Sequence, residues 1–384
     1  MKKLFACLTA VMILLTACQL ALAAEEYSFA IVNTNRVNLR KSPGGDIMTR
    51  LDKGVCVYIA DTREARGKTW HRVIVSVNND QQQYAGWMDT SFLTDVSDQY
   101  SHVVQAAVGN RHVLLRMGNG SVAAFGFPFR NNLDVHGWAP VKDIAAARFT
   151  SFGLSTDGMH VFDDGWSWQD AAEPLMSLHG SSTSDCISGV TVSGAFVTTE
   201  QPFLSGGWYV PFDEAMLADV RIIDAATTMS VLALVTEDHV LHVAVEADYI
   251  DGVREAEGLQ NVRAAACGSR DVYALMTDGT VRCFGTTDPA LLQRAASWQN
   301  VEAIAAGNGF VAALMADGTV SFAGSMAVRN WNYRVVSSER RINLQDEGLL
   351  ADWSDIVSIA AGDHILVGVT ADGRIRVAAA FDYE

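Results

Sequence analysis

Cysteine is scarce in this chain, and so is positive charge. Only six cysteines stand in 384 residues, and Cys7 and Cys18 fall in the N-terminal leader, which leaves Cys56, Cys186, Cys267 and Cys283. There is no C-x-x-C pair and no histidine at a zinc-ligand spacing, so a metal finger or a thiol–disulfide centre is not expected. Cys267 and Cys283 lie in one repeat, where neighbouring strands could pair them; small buried hydrophobes are the simpler reading. Lys and Arg number 28 against 44 Asp and Glu, a formal net charge of −16. Cleavage after Ala23 removes Lys2 and Lys3 and leaves 26 basic against 44 acidic residues, or −18. Such a chain repels phosphate backbones at long range, which argues against nucleic acid as a partner. Catalytic signatures are missing as well: no G-x-S-x-G, H-E-x-x-H, Gly-rich phosphate loop or calcium loop occurs. Asp163, Asp164 and Asp170 come nearest to a carboxylate pair. Adjacent acids in a strand point to opposite faces, so Asp163 and Asp164 read as exposed turn acids. Neither enzyme activity nor a metal or cofactor is expected.

The one long apolar run, Leu4 to Leu15 behind Lys2 and Lys3, is too short and too N-terminal to anchor the mature protein, and reads as an export signal. Leu15-Thr-Ala-Cys18 has the form of a lipobox, with Cys18 lipidated. Ala21-Leu-Ala23 suits ordinary signal peptidase, and the apolar Gln19-Leu-Ala-Leu-Ala behind Cys18 favours that site. Both routes place the protein outside the cytoplasm, secreted or at the cell surface, with membrane contact only through the lipid.

What the chain has in abundance is repetition. Tyr273-Ala-Leu-Met-Thr-Asp278-Gly279-Thr-Val is nearly matched by Ala312-Ala-Leu-Met-Ala-Asp317-Gly318-Thr-Val. Related copies carry Asn119-Gly120, Asp157-Gly158 and Asp372-Gly373. A period near forty residues with an Asp-Gly or Asn-Gly turn between apolar runs marks an array of hairpins. Gly109 precedes Gly120 by eleven residues; Ala147 and Gly158, Gly268 and Gly279, Gly307 and Gly318, and Gly362 and Gly373 keep the same interval. Nine residues before the first member stands Tyr100, Trp138, Trp298 or Trp353, with Leu259 in the fifth copy; these read as wedges between units. Two worn copies lie between, one around Gly189 and one near residue 227. Copies starting near 109, 147, 189, 227, 268, 307 and 362 predict an all-β, seven-bladed propeller over residues 100–384; six blades would require one worn copy to be a loop excursion. Val301-Glu-Ala-Ile-Ala-Ala-Gly307 with Ala313-Leu-Met-Ala-Asp317-Gly318 resembles the repeat of the regulator of chromosome condensation family. The resemblance implies a toroid whose loops contact other proteins. The family's exchange-factor and chromatin roles do not suit an exported, acidic chain. His112, three residues after its Gly, fits a structural histidine of that repeat.

A different grammar covers residues 28–95. Asn38-Leu-Arg40 with Pro43, Leu51 with Gly54 and Val57, Trp70 with Val73, Gly86-Trp87 and Phe92-Leu93 are spaced as in the bacterial SH3 (SH3b) family, which this segment resembles. Five short strands in a small SH3-like barrel are expected. The resemblance implies a module that binds cell-wall peptide or peptidoglycan, with Arg40, Trp70, Tyr84 and Trp87 as candidate ligand residues. In so small a domain Trp70 and Trp87 also qualify as core, and Arg40 as a turn tie.

In the ring, irregular stretches carry the binding candidates: Trp166 and Trp168, Trp208, and the long last interval with Trp331, Tyr333 and Arg334. Loop aromatics and Arg are typical anchors. The expected function is that of an exported, non-enzymatic binding protein, walled by the barrel and meeting an extracytoplasmic protein or glycan through the ring. The rival readings are a secreted inhibitor of an extracellular enzyme, and a glycan- or peptidoglycan-acting enzyme with its site at the propeller mouth.

Overall fold

The computed structural model describes residues 29–77, 82–129, 131–163, 173–198, 220–245, 251–285, 288–330 and 341–382. Strand is the dominant element in them, and the helices are few and short, the longest being Pro289–Ala296. The N-terminal part forms one sheet of β1 (Phe29–Val32), β2 (Val37–Arg40), β3 (Ile47–Leu51), β4 (Cys56–Ala65), β5 (Lys68–Val77), β6 (Gln82–Asp89) and β7 (Leu93–Asp95), in the order β3-β2-β6-β5-β4-β1-β7. Alternation along these strands turns Val32, Leu39, Val57, Val73, Val75 and Met88 into one buried cluster. Seven strands stand where five were expected. β1 and β7 pair with each other through Ala30 and Asp95.

From Val103 on, the chain makes seven three-stranded antiparallel sheets. Sheet 1 holds Val103–Val108, His112–Met117 and Val122–Gly126; sheet 2 holds Val141–Ala146, Ser151–Ser155 and Val161–Asp163. Sheet 3 holds Leu175–Ser181, Ser184–Thr191 and Phe196–Thr198; sheet 4 holds Ile222–Thr227, Val231–Thr236 and Leu241–Val245. Sheet 5 holds Val262–Cys267, Val272–Met276 and Val281–Phe284; sheet 6 holds Val301–Gly307, Phe310–Met315 and Val320–Gly324; sheet 7 holds Ile356–Ala361, Ile365–Thr370 and Ile375–Ala379.

One hydrogen bond, repeated, joins each sheet to the next. The turn between the second and third strands presents a carbonyl that accepts from the first residue of the following sheet. Val141 N donates to Gly120 O, Leu175 N to Gly158 O, Ile222 N to Gly194 O and Val262 N to His239 O. Val301 N to Gly279 O and Ile356 N to Gly318 O continue the series, and Val103 N to Gly373 O returns it to sheet 1. The first strands touch in the same cyclic order. The chain is thus all-β, with its sheets in a propeller-type ring.

The two worn copies keep the turn while losing its signature. In sheet 3 the turn is Ser193-Gly194, so Gly189 falls within the second strand, opposite Leu178. In sheet 4 His239 takes the glycine place at φ 65°, a conformation that a non-glycine residue adopts only under constraint. The wedge residues fill the seams. Trp138 lies over Gly153, where a Cβ would come within 2.9 Å of its ring. Trp298 and Trp353 pack between sheets 5 and 6 and between sheets 6 and 7, respectively. Tyr100 stacks on Phe125 at 5.8 Å.

Each first strand is also bulged one residue after its start. The register shifts between Val103 and Gln105, Val141 and Asp143, Leu175 and Ser177, and Ile222 and Asp224. It shifts again between Val262 and Ala264, Val301 and Ala303, and Ile356 and Ser358. A bulge leaves one residue out of the ladder and re-aims its side chain. The residues so placed are Val104, Lys142, Met176, Ile223, Arg263, Glu302 and Val357.

The N-terminal sheet is fused to the ring. Phe29, Tyr58 and Ile74 share a core with Phe125 and Phe127 beside sheet 1 and with Ala379 and Phe381 at the end of sheet 7. Phe29 meets Tyr58, Phe125 and Phe127 edge-on at 5.4, 5.7 and 5.4 Å. The Tyr58 hydroxyl donates to Ala379 O at 3.2 Å and accepts from Phe381 N at 3.3 Å. In this joint β4 touches Val122–Gly126 and the short helix Val96–Gln99 touches Ile375–Ala379, the outer strands of sheets 1 and 7.

Candidate functional site

The sequence candidates fall into two groups. Trp166, Trp168, Trp208, Trp331, Tyr333, Arg334 and Cys18 lie outside the described residues. Of the four in the N-terminal sheet, Arg40, Trp70 and Trp87 share a face, with Arg40 opposite Trp87 and Trp70 opposite Asp89, and Tyr84 does not join them. Trp70 and Trp87 are each 7% exposed, and Trp70 Nε1 donates to Ala65 O. Arg63 covers the Trp87 ring at 4.9 Å. Tyr84 stands three residues before Trp87 on β6, hence on the opposite face, where its hydroxyl donates to Gln82 Oε1. Arg40 donates to Gly45 O at 2.7 Å and ties its turn.

A site that the sequence reading missed lies on β3, an edge strand of the sheet. An open groove of about 680 Å³ is lined by Arg36, Ile47, Met48, Thr49, Arg50 and Asp52. Ile47 and Met48 are 43% and 38% exposed. Asp52 Oδ1 accepts from Arg36 N and fixes the turn that carries Arg36; Arg50 Nε donates to Asn38 Oδ1. The groove combines two guanidinium groups, exposed apolar side chains and a strand edge able to pair with an extended chain. Its setting matters too. Residues 29–99 contain 9 Lys and Arg against 8 Asp and Glu, a net +1, whereas residues 100–384 contain 17 against 34, a net −17. The Gly54 turn and a register slip at Arg40 are the only local hints that β3 stands apart.

On the side of the first-to-second strand turns, side-chain hydrogen bonds link sheets across the ring. Asp363 Oδ1 accepts from Ser182 Oγ at 2.9 Å and Asp363 Oδ2 from Asn110 Nδ2 at 3.4 Å, joining sheets 7, 3 and 1. A Cβ on Gly362 would strike the carbonyl of Gly109. His112 is fully buried, and desolvation pushes it down to about 4, with the Thr150 backbone opposing only in part. Asp271 is pushed up to about 6 by burial, against the Tyr273 hydroxyl that donates to it. Among the described residues no three His, Cys, Asp or Glu side chains are grouped to hold a metal. Cys267 and Cys283 are free thiols. Asp163 lies on the outer strand of sheet 2; Asp164 and Asp170 are outside the described residues.

On the other side the turns carry carboxylates. Asp157, Asp278, Asp317 and Asp372 each accept from a neighbouring Ser or Thr hydroxyl at 2.5–2.6 Å, which holds all four below the usual carboxylate range. Asp238 accepts from Thr236 in the same way. These groups rim the ring with fixed negative charge.

A ring of small antiparallel sheets with a fused N-terminal sheet is the architecture of a β-propeller protein. No protein-family model and no curated protein matches the sequence. Solved structures similar in shape include the CRINKLY WD40 ectodomain of an Arabidopsis thaliana receptor kinase, at 11% identity, 73% of this chain, 95% of that chain and TM-score 0.49. Yeast RCC1 (Prp20), solved with Kap60, aligns at 16% identity over 72% of this chain and 69% of its own, with TM-score 0.38. The Swd1 β-propeller domain from Myceliophteria thermophila aligns at 11% identity over 72% and 97%, with TM-score 0.41.

Proposed function

We propose that this is an exported, non-enzymatic binding protein. In this reading residues 28–95 are an SH3b-like barrel that holds the protein at the cell wall. Residues 100–384 are a seven-bladed propeller that meets an extracytoplasmic protein or glycan. The seven equivalent turn-to-sheet hydrogen bonds support the blade number. The groove on β3 carries the functional reading. Two arginines beside exposed Ile47 and Met48, on the one part of the chain without excess negative charge, suit a short peptide bearing carboxylates, the chemistry of peptidoglycan stems.

The test is co-sedimentation of the full chain with purified sacculi at low and moderate salt. The wild type pellets with the sacculi, and a variant carrying Arg36→Glu and Arg50→Glu loses at least tenfold in affinity at unchanged melting temperature. Wild-type protein that stays in the supernatant, or a double variant that pellets equally well, would refute the reading. Point variants are needed, because removing the barrel would also strip Phe29 and Tyr58 from the core of the ring.

A further inference from the structure

The bulged positions offer an internal comparison. All seven occupy one structural place, on the face that bears the carboxylate turns. Three of the seven are charged: Lys142, Arg263 and Glu302. The backbone therefore accepts polar side chains there and does not demand apolar ones. Yet Val104, Met176, Ile223 and Val357 are exposed by 47, 44, 37 and 57%. They are also not scattered. Sheets 7, 1, 2, 3 and 4 follow one another around the ring, so the four apolar residues fill four of five consecutive places. The fifth, Lys142, folds its ammonium onto Leu175 O at 2.7 Å in the next sheet. Val192, 50% exposed, extends the arc, since its amide donates to Pro174 O beside Met176. Arg263 and Glu302 occupy the remaining places, with Arg263 donating to Val301 O and Glu302 O. A cluster of exposed apolar side chains rimmed by charge marks an interaction site.

We propose that this arc docks a basic protein segment, with one or two large apolar side chains seated on Val104, Met176, Ile223 and Val357 and flanking Lys or Arg facing the turn carboxylates. The choice of occupant rests on charge: along the arc the turns carry Asp372, Asp157 and Asp238, with Arg374 at 3.4 Å from Asp372, on a ring of net −17. An acidic or purely apolar partner would meet repulsion or leave that charge unanswered. The inference builds on the reading of the ring as a binding module and names the face and the partner chemistry.

The test uses a random-peptide phage library panned on the immobilised full chain, followed by fluorescence polarisation with synthetic copies of the enriched peptides. Enriched sequences pair Leu, Ile, Phe or Trp with Lys or Arg, and their affinity falls as salt rises. Val104→Lys or Met176→Lys, each installing a side chain the same backbone place already carries at Lys142, lowers affinity at least tenfold at unchanged melting temperature. Glu302→Gln, outside the arc, changes it less than threefold. Enriched peptides whose binding ignores both lysine variants overturn the arc and leave a ring that binds protein elsewhere. An empty selection overturns the arc and the protein-binding reading of the ring together. Sedimentation velocity of the chain alone completes the test: self-association abolished by Val104→Lys would make a second copy the occupant and overturn the proposal.

Discussion

Tyr58→Phe tests whether the N-terminal sheet and the ring are one cooperative unit. The substitution removes a single oxygen and leaves the ring packing of Tyr58 on Phe29 and Phe381 in place. That oxygen makes two bonds across a sequence separation of 321 residues or more, and the side chain is fully buried. Each bond contributes about 1 kcal/mol net and the buried groups left behind add to the loss, so unfolding becomes easier by about 2–3 kcal/mol. For a cooperative unit of roughly 300 residues the unfolding entropy is about 0.6 kcal/mol/K, so the melting temperature falls by about 4 °C. Differential scanning calorimetry with urea titration reads both quantities. Tyr84→Phe is the control, since its hydroxyl reaches only Gln82 at an exposed site, and it shifts nothing measurable. Two resolved transitions, of which only a minor one moves in Tyr58→Phe, would show that the units fold apart and that the joint is incidental. A change below about 0.5 kcal/mol would show that the two bonds are too weak to couple them.

Buried His112 sets an acid slope. Its folded value near 4 lies below the free value of 6.5, so the unfolded chain takes up the proton first. Its neutral form is free of penalty above pH 6.5, and stability then falls by about 3 kcal/mol as pH drops towards 4. Urea unfolding of wild type and His112→Leu at pH 7, 6, 5 and 4.5 gives a shallower slope for the variant; parallel slopes would refute the assignment. Burial pushes the Cys56 and Cys283 thiols up to about 12 and Cys267 higher still. All three stay unmodified by iodoacetamide at pH 8 until urea is added, as intact mass and peptide mapping report. Labelling of Cys56 within minutes in the folded protein would contradict the shared core that encloses it.

The ring was legible because its turns are. A left-handed residue recurs where the chain reverses, and glycine at 120, 158, 279, 318 and 373 reports it directly. Where His239 holds that conformation, or where Ser193 replaces the Asp, the turn survives and the signature does not. The wedge aromatics were legible for a similar reason, since each fills a fixed seam ahead of its sheet. The bulges were not: a bulge adds one residue to a strand, and Val103-Val-Gln or Val141-Lys-Asp reads as ordinary strand. The groove escaped because nothing in Ile47-Met-Thr-Arg50 distinguishes an edge strand from an inner one. Of the aromatic rim read from the sequence, strand parity leaves Trp70 and Trp87 on one face and puts Tyr84 on the other.

The joint between Phe29 and Phe381 has a consequence for how the protein comes into being. The first described strand shares its core with Phe381, far along the chain. Bringing such distant segments together carries a large loop-closure entropy that only the finished ring offsets. Until the C-terminal strands arrive, Phe29, Tyr58 and Phe127 lack the cover of Phe381 and of sheet 7, and the emerging chain shows part of an aromatic face to any chaperone at hand. A truncation before Phe381 would therefore leave that face partly uncovered for good.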